Sequence, residues 1–185
     1  MEKRLSIRKI VVAGVLGAIA ILLGVTNLGY IPVPSATAHA TIMHVPAIVG
    51  GLVEGPIVGA ISGLIFGVHS FLYSPVAMFK DPLVSILPRL FIGVFAYFTY
   101  VGFKRFNEYV AIGIAGFVGS ITNTVLVLGM IVVRGYLPAE VAYATALTSG
   151  IPEAIVSVII SLAVVVAWKK IGTSTNQKSK ISGDL

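Results

Sequence analysis

The sequence predicts an all-α integral membrane protein: a single six-transmembrane-helix bundle with both termini in the cytoplasm. Three observations carry that expectation. Of 185 residues, 57% are hydrophobic and only 11% are charged, where a soluble domain carries roughly 25% charge; much of the surface must therefore face lipid. Uncharged apolar runs recur along the chain, several near the ~20 residues that cross a bilayer as helix. The basic residues sit at the chain ends and in one short loop, as topology signals do. The net charge of +6 is thereby explained without nucleic acid, and the lack of cysteine excludes disulfides and thiolate chemistry.

The first helix is expected over about residues 8–28. The run after the basic start Met1–Lys9 is too long for a cleaved signal, and no small-residue cleavage site follows it. Gly29, Pro32 and Pro34 end it. A second helix over about 41–54 stops at Glu54-Gly55-Pro56, and a third follows over about 57–72. Asp81 before Pro82 is an N-cap acceptor followed by proline at the first helical position, which starts a fourth helix over about 82–103. The fifth is expected over about 109–133 and the sixth over about 151–168, with Arg134 to Ser149 as the last loop. One membrane domain thus covers residues 1–172, and the Ser/Thr/Lys-rich segment 173–185 reads as a disordered cytoplasmic tail.

With the N-terminus inside, Lys3, Arg4, Arg8, Lys9, Lys104, Arg105, Lys169, Lys170, Lys178 and Lys180 fall on the cytoplasmic side. Lys80 and Arg134 fall outside, and Arg89 lies within a helix. Ten against two satisfies the positive-inside rule.

Lipid gives helices no hydrophobic reason to associate, so small residues must let backbones approach. Gly55, Gly59, Gly63 and Gly67 form such a stripe at four-residue spacing on the third helix, and Ala13/Gly17 and Gly14/Ala18 repeat the pattern on the first. The former reads as internal packing. The latter serves internal packing or docking of another membrane protein equally well.

Arg89 is the most informative residue. A cation inside a spanning helix costs at least ~2.5 kcal/mol on insertion scales and normally faces a partner or a wet cavity. Arg89 lies about 10 Å below the outer end of its helix by helical rise, the right depth for a pocket open to the outside. There it would bind a carboxylate or phosphate, or else pair with Glu153, which on this assignment opens the sixth helix on the same side. Asn123, between Thr122 and Thr124 at mid-helix, must be hydrogen-bonded in hydrocarbon, either to substrate or to a neighbouring helix. His44 and Thr41 at the start of the second helix, with Tyr30 in the Pro-rich loop, complete the candidate set. His39, His44 and His69 lack the helical spacing of a zinc site, and the phosphate-cradling Gly-rich Lys motif is absent. No metal, no cofactor and no enzyme activity are therefore expected, and the chain cannot use ATP by itself.

Two stretches, Thr41-Ile-Met-His-Val-Pro46 running into Glu54-Gly-Pro56 and the Gly59–Gly67 stripe, and Pro82-Leu-Val-Ser-Ile-Leu-Pro-Arg89, carry a family resemblance. With the six spans, the basic start and the small-residue first helix, they resemble the substrate-binding S-components of energy-coupling factor (ECF) vitamin transporters over roughly residues 8–170. The resemblance implies high-affinity capture of a small vitamin from outside a prokaryotic cell membrane. Delivery would follow docking to a transmembrane coupling subunit served by two cytoplasmic ATPase subunits, which use the ATP. The family's Ala-x-x-x-Ala docking pattern reads here as Ala13-x-x-x-Gly17 and Gly14-x-x-x-Ala18. Arg89 favours an anionic vitamin, with pantothenate first. Riboflavin is the alternative, with folate or another vitamin behind it. A stand-alone secondary carrier would normally show two related halves, and no repeat links residues 1–90 to 91–185. An intramembrane enzyme would need a polar cluster that the sequence does not assemble.

Overall fold

The computed structural model describes residues 6–32 and 39–182, with side chains described as far as Ile171. Helix α1 (Ile7–Val25) leads into a two-stranded antiparallel ribbon, β1 (Tyr30–Pro32) and β2 (His39–Thr41), with Tyr30 opposite Thr41. There follow α2 (Val45–Glu54), α3 (Pro56–Tyr73), a 3₁₀ turn at Ala77–Lys80, and α4 (Pro82–Ser85) with α5 (Leu87–Phe103). Last come α6 (Glu108–Val133) and α7 (Ala139–Ser182). Counting α4 and α5 as one interrupted helix gives six helices among the described residues.

Among the described residues five helices are long and apolar enough to cross a membrane. The expected second span is not one of them: α2 has 10 residues and rises only ~15 Å, half of the ~30 Å hydrocarbon layer. Its C-terminal Glu54 pairs with Arg8 at the start of α1 (2.7 Å), which sets its lower end at the basic end of the bundle. Its N-terminus therefore lies near mid-depth, and the chain reaches it by folding the ribbon inward from the opposite end. Irregular backbone at that depth is tolerated only inside protein or along a cavity. Here its donors are satisfied: the Ile42 N–H donates to the Gly29 carbonyl (2.9 Å) and the Thr41 N–H to Glu153 Oε1 (2.6 Å). Those bonds hold Thr41 in the ribbon, so α2 begins four residues later than the sequence suggests.

The last helix differs more. It begins at Ala139, not near residue 151, and continues through 173–182 of the expected tail; residues 183–185 lie outside the described residues. Gly150 and Pro152 look like terminators in sequence. In a spanning helix neighbouring helices and hydroxyl side chains re-satisfy the freed backbone groups, and Pro152 is carried inside α7. Beyond Ile171, an established helix propagates far more easily than it nucleates.

Asp81 caps α4 as expected, its Oδ1 accepting from the Leu83 N–H (2.9 Å). Its other oxygen accepts from Arg134 Nε (2.7 Å) and the Tyr136 hydroxyl (3.2 Å), clasping the α6–α7 connection to the start of α4. Burial alone would raise this carboxyl, but the hydrogen bonds from Arg134, Leu83 and Tyr136 hold it below the ordinary carboxylate range. A depressed carboxyl stabilises the fold above its unfolded value of ~3.9 and loses that effect as pH falls through the lower folded value. The difference in melting temperature between the wild type and Asp81→Asn is therefore expected to stay constant from about pH 8 to pH 5 and to close below about pH 4. A difference that closed near neutrality would contradict the clasp.

Candidate functional site

Pro88 shapes the centre of the site. It has no N–H to offer the Val84 carbonyl four residues back, and its ring breaks the helix there, hence the interruption between α4 and α5. The Arg89 N–H turns to the Ile86 carbonyl instead (3.1 Å). The carbonyls of Val84 and Ser85 are thereby freed, and Arg89 Nη1 donates to both, at 2.9 and 2.6 Å. Phe66 from α3 and Phe79 from the 3₁₀ turn flank the guanidinium, their ring centres 4.9 and 5.2 Å from Cζ. Arg89 is 3% exposed, and its Nε is buried without a hydrogen-bond partner among the described residues.

That guanidinium borders a cavity of about 700 Å³, open mouth included, which is also lined by Tyr30, Thr41, Asn123, Thr124, Thr145 and Glu153. Five of the six residues singled out for substrate thus converge from β1, β2, α5, α6 and α7. Asn123 is buried, and its Oδ1 likewise has no partner among the described residues. Glu153 is committed: Oε1 accepts from Thr41 and Oε2 from the Thr124 hydroxyl (3.4 Å). The ion pairs among the described residues are Arg8–Glu54, Arg134–Asp81 and Lys169–Glu108. The alternative reading, an Arg89–Glu153 ion pair, is not formed among the described residues, because Arg89 turns back on its own helix break and Glu153 is taken by β2. Burial pushes the Tyr30 phenol above its ordinary range, with Arg89 pulling the other way, so Tyr30 is a neutral donor at physiological pH.

His44 is not in the cavity wall. It is fully buried, and its Nε2 bonds Ser157 Oγ (2.8 Å), tying the start of α2 to α7. The small-residue pairs of α1 divide as well. Ala13 and Gly17 are buried inside the protein, and a Cβ on Gly17 would run into Ile65 of α3. Gly14 and Ala18 face outward, leaving only that pair available to a partner.

Sequence inspection missed Phe66 and Phe79, because no pattern distinguishes an aromatic beside a guanidinium from one in lipid. Thr145 escapes it too, because residues 134–149 read as a loop in sequence and α7 carries that position. No group of three or more metal-ligating side chains occurs among the described residues.

A membrane-embedded helical bundle whose pocket gathers one buried cation with a carboxylate, an amide and several hydroxyls over apolar walls can hold a small polar molecule. The chain matches the family of ECF transporter substrate-specific components over residues 8–167 and belongs to it. It is a multi-pass membrane subunit of a transporter and not an enzyme. The pantothenic acid transporter PanT of Lactococcus lactis subsp. cremoris is 30% identical, across 70% of this chain and 78% of that protein. A solved structure of ThiT from Listeria monocytogenes superposes with a TM-score of 0.65 over 88% of this chain and 95% of that one, at 15% identity; the fold is shared.

Proposed function

We propose that this component captures pantothenate from outside a prokaryotic cell and delivers it to an ATP-driven coupling module. The observation that carries the substrate is the buried Arg89 Nε, which has a donor to spare at a site where a carboxylate would accept a charge-assisted hydrogen bond. Asn123 Oδ1, equally unpartnered, suits a hydroxyl or amide donor of the same ligand. Similarity to PanT supports the choice. Among the described residues the cavity lies toward the end that carries Lys80 and Arg134, against Arg8, Lys9, Lys104, Arg105, Lys169 and Lys170 at the opposite end, so the positive-inside rule turns its mouth outward. In this scheme the exposed Gly14/Ala18 face of α1 meets the transmembrane coupling subunit, and two cytoplasmic ATPases supply the ATP. Native mass spectrometry of the detergent-purified chain, followed by titration with pantothenate and riboflavin, tests the substrate. Stoichiometric, saturable pantothenate binding with none for riboflavin is expected. Riboflavin bound in preference would overturn the assignment.

A further inference from the structure

A second cavity, about 1020 Å³ with its open mouth, lies between the upper ends of α1 and α3. Tyr30, His39 and Pro75 line both this cavity and the one at Arg89, so the two adjoin at the ribbon and share a wall. Its wall includes His69, Tyr73 and Asn27 and holds no Lys, Arg, Asp or Glu. His69 is 6% exposed, yet neither ring nitrogen has a hydrogen-bond partner among the described residues. The ring is held in place by Tyr73, whose centre is 5.2 Å away, and by the gap left at Gly24, where a Cβ would collide with it.

Burying an imidazole with both nitrogens idle is costly, and such groups in native proteins call for a partner. A neutral imidazole offers one donor and one acceptor, which is what a hydroxyl group needs. On α3, His69 stands one turn beyond Phe66, the ring against Arg89, or about 4–5 Å along the axis. We propose that the two cavities form one elongated site, in which Arg89 holds the anionic end of the ligand and His69 hydrogen-bonds its neutral, hydroxyl-bearing end. The assignment rests on the carboxylate role of Arg89 given above. It defines the ligand class as a carboxylate separated by a short chain from hydroxyl groups.

The test compares pantothenate with propionyl-β-alanine, which keeps the carboxylate and the amide but has no hydroxyls. Wild type, His69→Phe and His69→Asn are titrated with each. His69→Phe is expected to weaken pantothenate about tenfold, the scale of a neutral hydrogen bond, and to leave propionyl-β-alanine within about twofold. His69→Asn should restore part of the loss. Unchanged pantothenate affinity in His69→Phe overturns the proposal and leaves the pantothenate assignment standing; an equal loss for both compounds overturns it too, as a structural effect. If the wild type binds neither compound, the pantothenate assignment itself has failed. Retention of a copurifying small molecule by wild type and His69→Phe is then compared by native mass spectrometry. Weaker retention in the variant supports the role of His69, and equal retention, or none in either protein, overturns it.

Discussion

Replacing Arg89 by alanine is expected to weaken pantothenate binding by about 100-fold, with only a small effect on pantothenol, in which an alcohol stands where the carboxylate was. A hydrogen bond to a charged group contributes ~1.5–3 kcal/mol, and more is lost when the surviving partner is left buried and unpaired. The variant also strips the Val84 and Ser85 carbonyls of their shared donor, so the two consequences have to be separated. The pantothenol comparison does this. Damage to the helix break weakens both ligands alike, whereas loss of the carboxylate contact weakens only the acid. Arg89→Lys should recover part of the affinity. A lysine supplies charge but no planar fork with which to hold two carbonyls and a carboxylate together. Equal losses for the acid and the alcohol would remove Arg89 from ligand recognition.

A large effect on stability is expected at Gly93. In α5 it faces α2 and α3 at once, and a Cβ there would lie 2.5 Å from the Ala47 carbonyl oxygen and from the Gly59 Cα. Both are backbone atoms of packed helices, so neither can swing aside as a flexible side chain would. Overpacking of this kind costs typically ~1–3 kcal/mol, and in a chain of this size each ~1 kcal/mol lowers the melting temperature by about 2–4 °C. Gly93→Ala should therefore lower it by about 5–10 °C in detergent, and Gly93→Val should abolish recovery of monodisperse protein. Gly129→Ala is the control, since nothing lies within 4 Å of a Cβ at that position. Equal melting temperatures for Gly93→Ala and Gly129→Ala would show that the three helices are not in backbone contact.

The glycine stripe of α3 illustrates how much was legible in the residues alone. Its four-residue spacing announced a close helix contact, and Gly59, Gly63 and Gly67 do abut the backbone around Ile86, Arg89 and Gly93. The partner was not legible, because any helix fits a smooth surface. Gly55 departs from the pattern: space around it is open, and its φ of +100° marks a turn that needs glycine. The Pro88-Arg89 pair behaves similarly. The proline frees a carbonyl by covalent chemistry alone, but that the next side chain folds back to take it depends on Phe66 and Phe79 closing over the guanidinium.

Membrane residence, the five long spanning helices, the Asp81-Pro82 helix start and the placement of Arg89 within a spanning helix were all determined by the sequence itself. Each is a local consequence of apolar run length, of capping and proline chemistry, or of the cost of charge in hydrocarbon. Tertiary structure alone decided that α2 crosses only half the layer, that α7 runs through Gly150 and Pro152, and that Glu153 binds the Thr41 backbone and not Arg89. It also decided that His44 ties helices together while His69 faces a cavity. In each case the outcome turned on which donor found which acceptor across elements distant in sequence. Most buried polar groups of such a bundle find their partners within the protein, and that matching is a property of the packed helices together.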